Sequence, residues 1–126
     1  MRALIIAAGI LGFLLVLAAA GGAHLVVAEV RAADPDSRLL RQWDRAILFG
    51  LVHTLGALVC AAVAEGSRRL KLVSGWAFVG GVVLFSGVQV ARIAGANLPG
   101  VLVPIGGLSF LAGWLLLAAS AAAAKR

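Results

Sequence analysis

The chain alternates four long apolar blocks with short polar links. The blocks cover approximately residues 4–27, 46–64, 73–93 and 101–122. Each block is about as long as the ~20 residues that an α-helix needs to cross ~30 Å of hydrocarbon. Because lipid offers no hydrogen-bond partners to backbone amides, such blocks are expected to be helical. The pattern predicts an all-α integral membrane protein, with one domain of four antiparallel transmembrane helices over residues 1–126.

The second and third links are short and contain residues that favour turns. Glu65–Leu72 includes Gly66, and Ala94–Gly100 includes Pro99. Short links place sequential helices side by side and antiparallel. Each helix is therefore expected to pack against the next one along the chain.

The first link is longer and carries a helix-start signal. Asp34–Ser37 is expected to stop one helix and to cap the next, since Asp36 or Ser37 can accept from free amides of the following turn. The apolar residues after this cap share one side of a helix: Leu39, Leu40, Trp43 and Ile47. The pattern predicts a short interfacial helix that runs into the second span.

The first block has two interpretations. Met1-Arg2 and the Ala- and Gly-rich run before His24 resemble a cleavable signal peptide. The block is longer than a typical signal core, which favours a retained transmembrane helix.

Composition and charge agree with a lipid environment. Hydrophobic residues make up 63% and charged residues 13%, against roughly 45–50% and 25% in soluble domains. The net charge of +6 does not indicate nucleic-acid binding, because Lys and Arg lie at block edges, where they meet anionic headgroups of membrane lipids. Cys60 is the only cysteine, so no internal disulfide is possible, and we expect a buried thiol.

The basic residues also bear on orientation. Four spans place both termini on one side. The basic residues on that side are Arg2, Arg68, Arg69, Lys71, Lys125 and Arg126, and those on the other are Arg31, Arg38, Arg41, Arg45 and Arg92. The positive-inside rule then predicts an inner-membrane protein with cytoplasmic N- and C-termini.

Small residues recur at helical spacing and predict helix contacts, because small side chains let helices approach closely in lipid. The second span has a stripe at Ala46, Gly50, His53, Ala57, Cys60 and Ala64, opposite a leucine face. Similar stripes are Ala77, Gly80, Leu84, Gly87 and Ala91 in the third span, Gly106, Ser109 and Gly113 in the fourth, and Ala8, Gly12, Ala19 and Gly22 in the first. The stripe in the second span predicts that His53 faces the bundle interior.

Several strings give the chain a resemblance to a known family. They are GGAH at Gly21–His24, LVHTLGAL around His53, LFSG at Leu84–Gly87, and PIGG followed by SFLAGW at Pro104–Trp114. Their order and spacing resemble domain-of-unknown-function family 423, the YgdD-like and transmembrane protein 256-like small membrane proteins. The resemblance implies a four-helix inner-membrane protein and no activity. The chain departs from the family pattern at Ile47–Phe49, where a Tyr or Gln is usual.

Polar residues within the spans collect toward the non-cytoplasmic side of the predicted topology. Candidate ligand-binding residues are His24, His53, Ser86, Gln89 and Arg92, and the Pro104-Ile105-Gly106-Gly107 string begins the fourth span nearby. Arg92 would bind a phosphate or carboxylate, while Gln89 and Ser86 would hydrogen-bond deeper parts of the ligand. The alternatives are a structural His53 bonded to a neighbour, a snorkelling Arg92, and a Pro-Gly-Gly string that serves packing or kinks the helix to line a pocket.

No metal site and no cofactor are predicted. His24 points about 200° away from Gly22, and no third Cys, Asp or Glu has ligand spacing. No catalytic constellation is visible, so we expect a non-enzymatic protein. It would bind a lipid headgroup, a quinone or a partner membrane protein, alone, as a homo-oligomer or within a larger membrane complex. The alternatives are a small carrier or channel and a haem- or quinone-linked redox protein.

Overall fold

The computed structural model describes residues 1–25, 27–34 and 37–123. Within these ranges the helices are α1 (Arg2–Leu25), α2 (Val27–Ala33), α3 (Arg38–Ala62), α4 (Arg68–Gly81), a π-helical segment (Val82–Gly87), α5 (Val88–Ile93) and α6 (Leu102–Ala122). α4, the π-helical segment and α5 follow one another without a break and form one long helix.

Four of these helices are long and apolar enough to cross a bilayer. They are Arg2–Gly22, Arg38–Ala62, Arg68–Ile93 and Leu102–Ala122. The all-α membrane fold predicted from the apolar blocks is confirmed.

The second span begins earlier than its apolar block. Ser37 caps α3 by accepting a hydrogen bond of 3.2 Å from the amide of Leu40, as the first link predicted, whereas Asp36 lies outside the described residues. The residues predicted to form a short interfacial helix are the first turns of α3 itself. Leu40 and Trp43 are buried against α1, α2 and α5, and the separate short helix is α2.

The two middle spans form the centre of the bundle, and the two outer spans flank it. About 39% of each middle span is buried, against 17% of α1 and of α6. α1 packs on α3, α3 on α4, and α6 on α4 and the π-helical segment. The outer helices therefore present most of their surface to lipid, as the exposure of Phe13 and Leu115 indicates.

Contacts between helix ends bring the two described termini to the same end of the bundle. Leu4 of α1 lies against Gly75 of α4. The turn after α3 meets the end of α6, where Ser67 donates its amide to the carbonyl of Ser120 at 3.0 Å. Gly66 takes a φ of +88° in this turn, and a side chain there would collide with the Ser120 backbone.

Lys71 lies at this end of the bundle but does not face headgroups. Its side chain is 4% exposed. Its Nζ donates to the carbonyls of Val63 and Ala64. These carbonyls follow the last turn of α3, where partial negative charge collects and a cation is favourable. Lys71 thus ties the start of α4 to the end of α3.

The small-residue stripe predicted for the second span lies in the core. Ala46, Gly50, His53, Ala57 and Cys60 are all buried, whereas Ala64 lies beyond the helix and is exposed. On the opposite side Leu48 and Leu55 are exposed, as predicted, and Leu51 and Leu58 are half-buried against the core.

The stripe predicted for the third span does not coincide with the most deeply buried face of that span. Its buried residues are Lys71, Ser74, Gly75, Phe78, Gly81, Val82, Ser86 and Val88. Gly80 is half-buried, and Gly87 is exposed. The predicted stripe starts one position away from this face, about 100° around an α-helix. The π-helical turns then break the 3.6-residue period that the stripe assumed.

The glycines predicted to pack helices divide into close and open positions. A Cβ at Gly50 would lie 2.8 Å from Leu15 and Ser86, one at Gly106 would lie 2.5 Å from the Phe85 amide nitrogen, and one at Gly113 would lie 2.6 Å from Phe78. Cβ atoms at Gly80, Gly87 and Gly107 would make only ordinary contacts of 3.8 Å or more. Ala57 is fully buried in the main core.

Candidate functional site

His53 lies inside a cluster of aromatic rings. Its imidazole is 6% exposed and stacks on Phe110 of α6, with ring centroids 3.6 Å apart and planes 11° apart. Phe49, Phe78 and Trp114 surround it with centroid distances of 5.9, 5.7 and 6.0 Å. Rings from α3, α4 and α6 therefore meet at one histidine.

One ring nitrogen of His53 is bonded and the other is free. Nδ1 lies 2.6 Å from the carbonyl oxygen of Phe49, one turn earlier on α3. Since a carbonyl only accepts, Nδ1 carries the proton and donates. Nε2 has no hydrogen-bond partner among the described residues. In this tautomer Nε2 presents a lone pair and can accept a hydrogen bond.

A groove of about 460 Å³ opens beside this histidine on the outer surface of the bundle. We call it the aromatic groove. It is lined by Phe49, His53, Phe85, Pro104, Gly107, Leu108, Phe110, Leu111 and Trp114. Among the described residues of the lining, only the side chains of His53 and Trp114 have hydrogen-bonding atoms. The groove therefore suits a mostly apolar ligand with few polar groups.

The contacts of His53 place it near the middle of the spans rather than in one half. Its neighbours Phe78, Phe110 and Trp114 lie in the central turns of the third and fourth spans. The sequence interpretation placed His53 toward the end of the bundle that carries Arg92. That interpretation counted from the start of the apolar block, whereas the facing helices fix the level of the side chain.

A second groove, of about 380 Å³, lies at the end of the bundle where α5 stops and α6 begins. We call it the polar groove. Its lining residues are Leu39, Gln42, Gln89, Arg92, Ile93, Gly100, Val103 and Pro104. A Cβ at Gly100 would lie 2.8 Å from Nη1 of Arg92, so the guanidinium rests over the glycine backbone. None of the described lining residues is acidic, which leaves Arg92 available to an anion.

The structure brings Gln89 and Arg92 together but separates Ser86 from them. Gln89 lines the polar groove and donates from Nε2 to the carbonyl of Phe85 at 3.2 Å. Ser86 is fully buried toward α1 and α3, facing Gly50. Steps of three residues drift by about 60° each on an α-helix. Ser86 and Arg92 therefore face different neighbours.

Two buried hydroxyls near the centre of the bundle have no hydrogen-bond partner among the described residues. They are Ser86 Oγ and Thr54 Oγ1. Ser86 also lines a small apolar groove of about 170 Å³ between α1 and the third span, which contains the exposed Gly87.

His24 lies apart from His53 and is exposed on α1. Gly22, two residues before it, packs against Trp43 of α3. His53 lies ten residues beyond Trp43, about 15 Å along the helix. Among the described residues no three His, Cys, Asp or Glu side chains come together as a metal site would require.

Hydrogen bonds across three spans hold the core below the histidine. Ser74 Oγ donates to the Gly113 carbonyl at 2.7 Å. Because that bond uses the hydroxyl proton, the thiol of Cys60, 3.3 Å away, donates to Ser74 Oγ. Ser109 Oγ donates to the Ala77 carbonyl at 2.7 Å. These bonds join α4 to both α3 and α6, and Cys60 is the buried thiol that the sequence predicted.

Sequence reasoning missed the aromatic neighbours of His53 and the amide Gln42. A signal was available for the first, because Phe49 and His53, and Phe110 and Trp114, are each four residues apart and so share a helix face. Nothing in the sequence marked Gln42, which lines the same groove as Arg92 because α3 packs against α5.

Comparison with known proteins places the chain in a family. The family model described as "Protein of unknown function (DUF423)" matches residues 18–107. The UPF0382 inner membrane protein YgdD of Escherichia coli strain K12 is 33% identical over 130 residues, which cover 99% of this chain and 93% of the relative. The UPF0382 membrane protein YwdK of Bacillus subtilis is 29% identical over 124 residues, covering 96% and 97%.

A further relative, the UPF0382 membrane protein SSP2132 of Staphylococcus saprophyticus, is 31% identical over 114 residues, 86% of this chain and 90% of its own length. No solved structure matches the chain.

Proposed function

The chain belongs to the DUF423 family of membrane proteins, and on that premise we propose that it is a non-enzymatic protein that binds an anionic phospholipid in the polar groove. The observation that carries the proposal is that Arg92, Gln42 and Gln89 line one groove, with no acidic side chain among the described residues of the lining.

The chemistry of the polar groove fits a phosphate. Arginine presents planar N–H donors that match phosphate oxygens, and the amide of Gln42 in the same groove offers further donors. The groove lies at a helix end, at the level where headgroups meet water. Two exposed apolar side chains follow directly, Val101 just before α6 and Ile105 in its first turn, and give acyl chains a surface on which to lie.

We also propose that both termini are cytoplasmic and that the polar groove opens toward the opposite leaflet of the inner membrane. Arg2, Arg68 and Arg69 are exposed at the terminal end of the bundle, and basic residues are retained on the cytoplasmic side. A carboxy-terminal fluorescent-protein fusion is expected to be bright and an alkaline phosphatase fusion inactive. An active phosphatase fusion would reverse the orientation.

Native mass spectrometry of the detergent-purified full chain with phosphatidylglycerol tests lipid binding. We expect retained lipid in the wild type and a loss of affinity of about tenfold or more in Arg92→Gln, since hydrogen bonds to charged groups contribute roughly 1.5–3 kcal/mol. Arg45→Gln is the matched control, because Arg45 is exposed on α3 and does not line the groove. Equal retention in the wild type and both variants would reject the proposal.

A further inference from the structure

We propose that the aromatic groove binds the ring of a membrane-soluble phenol, such as a hydroquinone headgroup, whose hydroxyl donates to Nε2 of His53. This site lies beyond the phospholipid proposal and does not rest on it, since the two grooves share only Pro104.

Nε2 of His53 is an acceptor that has no partner among the described residues. His53 is 94% buried within the bundle, and its Nδ1–H is already committed to the Phe49 carbonyl. Nε2 therefore keeps a free lone pair, and His53 lines a groove in which Trp114 is the one other described side chain with a hydrogen-bonding atom. A polar atom without a partner is costly in hydrocarbon, where water does not supply a donor. A ligand that donates a proton to Nε2 removes this cost.

The walls of the aromatic groove are mostly aromatic and apolar. Phe110 covers one face of the imidazole, and Phe85 lies 5.5 Å from both Phe49 and Phe110 by ring centroids. Aromatic rings favour offset-stacked and edge-to-face contacts at 4.5–7 Å. Gly107 leaves open space, since a Cβ there would meet Phe85 only at 3.9 Å. A flat ring fits walls of this kind better than a branched or charged group does.

A phenol hydroxyl can both donate and accept hydrogen bonds. A phenol oxygen that donates to Nε2 keeps lone pairs for the indole N–H of Trp114, which is a donor only. The rings of His53 and Trp114 have centroids 6.0 Å apart. An acyl chain offers neither function, so a lipid tail leaves both nitrogen atoms without partners.

The groove is reached from the bilayer. Leu108 and Leu111 on its rim are 64% and 61% exposed on the outer face of α6. A ligand dissolved in the membrane enters sideways between these residues and Phe49, and no charged side chain of the lining stands in its path.

A matched ligand pair tests the hydrogen bond in the unaltered protein. 4-Nonylphenol and its methyl ether, 4-nonylanisole, have the same tail and ring and differ in the donor. Both are titrated into the full chain in nanodiscs, with ¹⁵N-labelled histidine and NMR detection. The phenol is expected to bind about tenfold more tightly and to shift the Nε2 resonance of His53. Equal affinity, or binding of neither compound, overturns the proposal.

Variants separate this site from the polar groove. His53→Phe keeps a stacked ring and is expected to lower phenol affinity to that of the ether, whereas His24→Phe, which changes an exposed histidine on α1, leaves it unchanged. Arg92→Gln is expected to retain the phenol even where it loses phosphatidylglycerol. If His53→Phe binds the phenol as the wild type does, Nε2 is not the acceptor and the proposal fails.

Discussion

The crossing of α6 over the π-helical segment gives a sharp prediction, because two adjacent glycines make opposite contacts there. A Cβ at Gly106 would lie 2.5 Å from the amide nitrogen of Phe85 and 2.9 Å from the carbonyl carbon of Leu84. Both are backbone atoms and do not rotate away. A Cβ at Gly107 would meet nothing closer than a Phe85 ring carbon at 3.9 Å.

The two substitutions to alanine are expected to differ by about 1–3 kcal/mol in the free energy of unfolding. Each removes a helical glycine, which stabilises by up to ~1 kcal/mol. Only Gly106→Ala also forces the helices apart by about 1 Å, toward the ordinary carbon contact of ~3.5–4.0 Å, and such overpacking costs roughly 1–3 kcal/mol. We therefore expect Gly107→Ala to be neutral or stabilising and Gly106→Ala to be destabilising.

Reversible unfolding in mixed detergent micelles, followed by circular dichroism, measures this difference. The comparison is internal, since helix propensity cancels between the two variants. Equal unfolding free energies for Gly106→Ala and Gly107→Ala would refute the close crossing.

The same unfolding assay checks three further expectations. Ser74→Ala removes the bond to the Gly113 carbonyl and should cost about 0.5–1.5 kcal/mol; an unchanged stability would contradict that bond. Thr54→Val replaces a buried hydroxyl that has no partner among the described residues and should stabilise by about 1 kcal/mol; a loss would reveal a bond to Oγ1. Lys71→Met removes the hydrogen bonds that cap the end of α3 and should cost roughly 1.5–3 kcal/mol. Arg69→Met, at an exposed residue, should leave the free energy of unfolding nearly unchanged. Similar losses in both variants would argue against the cap.

The fold could be predicted because the bilayer imposes it. An apolar block of about 20 residues in lipid has to satisfy its own amides, so the four spans follow from composition alone. The stripe through Gly50 and Cys60 was also readable, since its helix is continuous and carries leucines opposite. The spacing of small residues therefore identifies the buried face when the α-helix is uninterrupted.

The third span could not be read in this way. The π-helical segment, in which the Val88 amide donates to the Val83 carbonyl five residues earlier, changes the period within the span. No residue type marks such a turn, so the stripe through Gly80 and Gly87 departs from the most deeply buried face of the span. The segment lies where Gly106 of α6 approaches the backbone, a contact that depends on two distant parts of the chain.

The candidate site was predictable residue by residue but not as an arrangement. His53 and Arg92 stood out because polar side chains are costly in lipid. Their environments depend on neighbours that look unremarkable in sequence, Phe110 for the first and Gln42 for the second. Sequence joined the two residues into one cluster, whereas packing assigns each to its own groove.

The central claim is that Nδ1 of His53 is hydrogen-bonded within α3 while Nε2 is free to accept from a ligand. The position of the proton on the ring tests this claim most directly. Solution NMR of the full chain with ¹⁵N-labelled histidine, in nanodiscs without added ligand, distinguishes the two ring nitrogens, and His24→Asn assigns the two residues. The Phe49 carbonyl at 2.6 Å leads us to expect a protonated Nδ1 and a bare Nε2. A proton found on Nε2, with Nδ1 bare, would contradict it.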